Sequence, residues 1–186
     1  FCVVTALPEQ RRCSYRLPSN RDLEAARSAT QELDRRKRAH RGPMSLVPDE
    51  LTPVGGGSGA GRAFSQRNYG MERFEDLFSP RQALMLATLA TLAREAGAAM
   101  AVEGDIELSA AVQTCLALAV DRQADYLTSL VVWATSGEFI AHTFGRQALP
   151  IVWEWPECNP FAGASGSWLG AVDWIARVIE REVCAL

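Results

Sequence analysis

A chain of 186 residues with 48% apolar and 22% charged side chains has the composition of a folded domain and enough apolar surface to bury a core. The formal net charge of −3 excludes a generally basic nucleic-acid coat, although a local basic patch remains compatible with it. The five cysteines, Cys2, Cys13, Cys115, Cys158 and Cys184, are odd in number and never spaced Cys-x-x-Cys, so neither a zinc site nor a disulfide framework is indicated.

Residues 1–6 are β-branched and apolar, 7–12 carry proline and charge, and 13–17 alternate in the strand manner, which predicts a β-hairpin. A strand-like run starting at Phe1 rather than Met is expected of a piece of something longer. Ser19 with Asp22 three positions on opens a helix over 21–40, with Leu23, Ala26, Ala29 or Thr30, and Leu33 on a weak apolar face. Its last turns hold Arg35, Arg36, Lys37, Arg38 and Arg41, where cations suit the negative end of the helix dipole. Residues 42–67, with several prolines and the glycine-rich run from Gly55 to Gly61, are expected to be a flexible linker that packs no core.

Ser79, Pro80 and Gln82 form a helix start, with serine as cap, proline in the first turn and glutamine closing a capping box. Two long helices, 80–100 and 106–133, are expected as a close antiparallel pair. A short helix over 136–144, a strand over 149–155, a small-residue loop over 159–167 and a last helix over 167–183 follow. On that last helix Trp168, Val172, Ile175, Val178 and Ile179 share a side that is expected to face the core. The fold class is therefore mainly α with a few β-strands: residues 1–41 a hairpin plus basic helix, 42–67 the linker, and 68–186 a helical, bundle-like region with one strand. The longest apolar run, near 110–120, is short and followed by Asp121 and Arg122, so a cytoplasmic protein with no membrane partner is expected.

Little of the chain carries chemistry. The glycine run lacks the Lys-Ser/Thr of a phosphate loop. His40 and His142, the two histidines, have no companion ligands for a metal. Cys158 with His142 is a conceivable nucleophile and base, and Asp121 with Asp125 is a carboxylate pair one helical turn apart for which an ordinary salt bridge with Arg122 alongside is expected. The stretch Asn159-Pro-Phe-Ala-Gly-Ala-Ser-Gly resembles the Asp-Pro-Phe-Ala-Gly-x-Gly turn with which amino-methyltransferases hold S-adenosylmethionine at a strand's carboxyl end. Asn159, Phe161 and Gly163 are the cofactor candidates. Asn159 replaces the acid, and Pro156-Glu157-Cys158 stands where the strand should run into the turn.

Five strings stand in a distinctive order: Arg16-Leu-Pro-Ser with Asp22-Leu-Glu-Ala, Tyr69-Gly-Met with Asp76-Leu-Phe-Ser-Pro-Arg-Gln, Ala119-Val-Asp-Arg with Asp125-Tyr, Thr143-Phe-Gly-Arg-Gln-Ala-Leu-Pro, and Asn159-Pro-Phe with Ser165-Gly-Ser-Trp. Together they resemble an interior part of the large bacterial and archaeal adenine-specific DNA methylases that carry a zinc ribbon. The resemblance implies a cofactor turn upstream of this region and a catalytic Asp-Pro-Pro-Tyr downstream. Neither occurs here, nor do the zinc-ribbon cysteine pairs, so no catalytic or metal residue is carried over. It further implies a parent that uses S-adenosylmethionine to methylate N6 of an extruded adenine. This chain would be a helical insert, inactive alone, binding no cofactor as an isolated segment, and partnered by the rest of the methylase chain and by DNA. Arg36, Arg38, Arg81 and Arg146 are the candidate phosphate contacts. The alternative is a non-enzymatic helical interaction module whose face of Trp153, Trp155, Trp168 and Trp174 is completed by another chain.

Overall fold

A computed structural model describes residues 2–5, 12–55, 64–102, 104–145, 148–149 and 151–184. Among them the chain is mainly α, with four α-helices and two small antiparallel sheets of two strands each. β1 (Val3–Thr5) pairs with β2 (Ser14–Arg16), Val4 opposite Tyr15, as the alternation predicts. α1 (Asn20–Ala39) starts on the expected capping box, in which Asp22 Oδ2 accepts from Ser19 N at 2.7 Å. Arg16 forks onto the same carboxylate at 2.7 and 3.1 Å. The hydrogen bonds from Arg16, then Ser19, hold the Asp22 carboxyl well below its ordinary range. One acid thus ties strand to helix.

α1 buries Leu33 against Val47 and Ala83. Val47 belongs to the stretch expected to pack no core, and that expectation fails for its described flanks. Thr52 is buried, its Oγ1 donating to Met71 O at 2.9 Å, and buried Gln66 donates through Nε2 to Pro53 O at 3.0 Å. A few well-placed side chains outweigh an average composition rich in glycine and proline. Residues 56–63, most of the glycine run, lie outside the described residues.

α2 (Pro80–Val102) begins with the predicted box: Gln82 Oε1 accepts from Ser79 N at 2.8 Å and Ser79 Oγ accepts from Gln82 N at 3.2 Å. Its partner α3 (Ile106–Ala124) is capped by Asp105, whose side chain accepts from Leu108 N. The two approach closely at Gly97, where a Cβ would come within 2.6 Å of Gln113 Oε1 and where Ser109 Oγ donates to the Gly97 carbonyl at 2.6 Å. By length and composition α2 is apolar enough to cross a membrane. Here it packs between α1 and α3.

α3 stops at Ala124, short of the expected 133. Residues 127–131 are instead a fully buried irregular strap. Its backbone polar groups must find partners inside the protein. Ser129 N and Oγ both donate to Leu77 O, at 2.7 and 2.9 Å, and the Thr128 carbonyl accepts from Gln82 Nε2 at 3.0 Å. The Thr128 and Thr143 hydroxyls meet at 2.6 Å.

The helix expected over 136–144 is a hairpin. β3 (Val132–Ala134) pairs with β4 (Phe139–Ala141), Trp133 opposite Ile140. β-Branched and aromatic residues on either side of a Thr-Ser-Gly turn favour strands over a helix. Glu138 closes the turn at φ 52°, and its carboxylate accepts from Cys13 N at 2.7 Å and Tyr15 O–H at 3.1 Å, joining the two hairpins. The strand expected over 149–155 is irregular in its described residues, since Pro150 and Pro156 remove backbone donors at both ends. Leu149 still enters the core, with Leu77 and Leu130.

α4 (Trp168–Val183) is capped by Ser167, which accepts from Gly170 N. Its core-facing side is covered only in part. Ala171 is buried and Trp168, Val172 and Ile175 are half-buried, while Val178 and Ile179 are exposed. The helices pack chiefly as a row, α1 on α2, α2 on α3 and α3 on α4.

Gln82 serves both the helix cap and the buried strap. Gln82→Ala leaves Ser79 N and the Thr128 carbonyl without partners, and a loss of about 2–4 kcal/mol is expected in urea denaturation. An unchanged midpoint would show that the strap is held without it.

Candidate functional site

The end of α3, the loop over 156–167 and the first turn of α4 enclose a cleft of about 210 Å³, with Arg122, Tyr126, Ser165 and Ser167 among its walls. The loop is folded by its own small residues. Asn159 Oδ1 accepts from Phe161 N at 3.1 Å, Pro160 is buried, and the Pro160 carbonyl accepts from Trp168 N at 2.8 Å. At Gly166 the chain turns with φ 80°, and a Cβ there would fall 2.5 Å from Cys158 Sγ and 3.0 Å from Tyr126 Cβ. Only glycine meets both the dihedral and the space.

Two buried side chains brace this turn. Gln123 Nε2 donates to the Gly166 carbonyl at 2.6 Å, while Gln123 Oε1 finds no donor among the described residues. Cys158 Sγ donates to the same carbonyl at 3.1 Å. Burial pushes the Cys158 thiol up to about 11, so it is protonated at neutral pH and is no thiolate nucleophile. The loop is fastened to α2 as well, through a bidentate pair of Arg81 with Glu157 at 2.7 and 3.0 Å. Beside the cleft, His142 Nδ1 lies 3.0 Å from Asp125 Oδ2, and Asp125 Oδ1 accepts from Phe144 N at 2.8 Å. This orients a half-exposed imidazole, but no hydroxyl or thiol among the described residues hydrogen-bonds to it. The pairing of Cys158 with His142 as nucleophile and base therefore does not form.

The cofactor candidates sit on the outer side of the loop. Asn159, Phe161 and Gly163 are exposed, and none lines the cleft. The loop does not follow a strand, because the described part of 149–155 is irregular. The phosphate candidates separate. Arg36 is paired with Glu32 at 2.7 Å and donates to Thr88 Oγ1, and Arg81 is paired with Glu157. Arg38 is exposed and has no ion pair among the described residues, and Arg146 lies outside them. The four tryptophans do not form one face. Trp153 meets Tyr69 edge-on at 5.5 Å, whereas Trp174 lies 4.8 Å beneath the Arg122 guanidinium. Among the described residues no group of three His, Cys, Asp or Glu side chains is placed to hold a metal ion.

Searches found no match for this chain among protein-family models, curated proteins or solved structures.

Gln82, Gln123 and Gly166 were not singled out as joints of this region beyond the cap at Gln82. The available signal was weak: Gln82 follows Arg81 and Gln123 sits among Asp121, Arg122 and Asp125, so both read as polar helix ends. A second signal lay beneath the net charge: residues 1–67 hold 12 Arg and Lys against 7 Asp and Glu, while 68–186 hold 7 against 15.

Two measurements test this geometry. Gly166→Ala is expected to cost about 2–4 kcal/mol, from its positive φ together with the clash. Exposed Cys2 and Cys184 should react at once with a thiol reagent at mild pH, and Cys158 only after unfolding. An unfolded thiol titrates near 9.0 and the folded Cys158 near 11. The folded state thus holds the extra proton between these values, and stability falls as pH rises through that window. Cys158→Ala should flatten that fall.

Proposed function

We propose that this chain is a non-catalytic, helical interior part of an S-adenosylmethionine-dependent adenine-specific (N6) DNA methyltransferase. The observation that supports the reading is where the five family-like strings fall. Arg16 and Asp22 tie β2 to α1; Ser79, Arg81 and Gln82 fasten the start of α2; Asp125 and Thr143 hold the turn after α3; Asn159, Gly166 and Ser167 shape the entry to α4. A resemblance concentrated at joints is a resemblance of scaffold. It fits a segment that supports catalytic motifs carried elsewhere in a longer parent.

In this reading the parent takes its cofactor and its adenine outside this segment, and the segment contributes surface. Its basic end, where α1 carries Arg38, is the side on which DNA phosphate is met, since Arg36 and Arg81 are already committed to carboxylates. A second reading, a helical interaction module, draws on the apolar side chains that the helices leave exposed, Leu92, Leu108 and Leu118 among them.

Reading the coding DNA in frame on both sides of this chain tests the proposal directly: an Asp-Pro-Phe-type turn before it and Asp-Pro-Pro-Tyr after it are expected. Their absence from a complete reading frame would leave the interaction module. The isolated chain is expected to give no heat with S-adenosylmethionine in titration calorimetry. Micromolar binding lost in Asn159→Ala would instead make the 156–167 loop a cofactor turn. Binding to a short duplex should weaken with salt, by a slope of about −0.9 per phosphate contacted, and Arg38→Glu should lower that slope.

A further inference from the structure

The apolar side of α4 is covered by α3 through Ile175, and beyond that it is bare: Val178, Ile179 and Val183 are 48%, 44% and 65% exposed. These three residues continue the stripe formed by Trp168, Val172 and Ile175, so the same ridge passes from packed to open within one helix. Its last turn is also wrongly charged for an isolated helix. Glu180 and Glu182 stand at the negative end of the dipole, with Arg181 the one cation in that turn. Asp173 is met by Arg177 at 2.9 Å, but neither glutamate has an ion pair among the described residues.

Among the described residues no lysine or arginine is paired with Glu180 or Glu182. Residues 68–186 carry 15 acidic and 7 basic side chains. Of those arginines Arg81 and Arg177 are paired with carboxylates, Arg73 donates to the Asp49 carbonyl, and Arg122 lies over Trp174. Glu182, four residues past Val178 and three past Ile179, lies on the ridge's own face with Glu180 to its side, and carboxylates so placed repel phosphate and attract cations.

We infer that the second half of α4 is a docking ridge for a basic amphipathic helix supplied by another polypeptide. The partner's apolar residues at i, i+3, i+4 and i+7 cover Val178, Ile179 and Val183, and its lysines or arginines meet Glu180, Glu182 and the helix carbonyl end. The inference does not depend on the methylase reading, because it rests on the exposed stripe and its charge alone.

The test uses the whole chain and two helical probe peptides with the same leucine pattern, one with lysine and one with glutamate at the polar positions, compared by fluorescence anisotropy at about 150 mM salt. The lysine peptide is expected to bind and the glutamate peptide not. Ile179→Asp and, independently, Val183→Asp should each weaken binding about tenfold or more with an unchanged circular dichroism spectrum, a change of roughly 1.4 kcal/mol. Glu180→Lys with Glu182→Lys should turn the preference toward the glutamate peptide. Equal binding of both peptides, or lysine-peptide binding unaffected by the folded variants, would overturn the proposal. So would a dimer of the chain alone that Val183→Asp dissolves, since the ridge would then belong to a second copy.

Discussion

The fold depends on how a stretch of backbone with no regular structure of its own is kept in the interior. Residues 127–131 are buried, and a buried peptide group without a partner costs about 1–3 kcal/mol. The Leu77 carbonyl before α2 accepts from Ser129 N, Gln82 in the first turn of α2 donates to the Thr128 carbonyl, and the Thr128 hydroxyl, itself bonded to Thr143 after β4, accepts from Leu130 N. Because these partners are distributed along the chain, the strap fixes the start of α2, the end of α3 and the second hairpin relative to one another. Leucines then fill in around it, Leu77, Leu130 and Leu149 forming the cluster beneath.

A different economy governs the helices. Each lies mainly on its neighbour in the chain, and the pairs meet through small residues, as at Gly97 and Ser109. Close approach through glycine and serine gives good van der Waals contact over a narrow seam and buries little of the outer faces. Leu92, Leu108 and Leu118 accordingly remain about half exposed. A row of this kind is a layer waiting for a second layer, which is how helical domains ordinarily bury both sides of their elements.

Local chemistry was legible in the sequence where it is decided within a few residues. The boxes at Ser19 with Asp22 and at Ser79 with Gln82, and the start of α4 at Ser167, required only the order of neighbouring side chains. The hairpin over 132–141 was misread as helix because its strands are short and its turn is stabilised from outside, through Glu138 reaching Cys13 and Tyr15 more than a hundred residues away. The extent of α4's buried side was overread for a related reason: periodicity shows which side of a helix is apolar, not how far a neighbour extends along it. In the 156–167 loop the small residues were visible, but the need for glycine at 166 comes from Cys158 and Tyr126, which only the fold brings there.

Lys37 is the chain's single lysine, and its amine is paired with Glu75, bridging α1 to the short turn that precedes α2. The other eighteen of its nineteen lysines and arginines are guanidiniums, inert to the acylating reagents that modify amines. The molecule therefore carries a built-in, single-site label on the side chains: a dye or cross-linker directed at amines attaches at the seat of α1, and the speed of attachment reports how firmly that helix is seated.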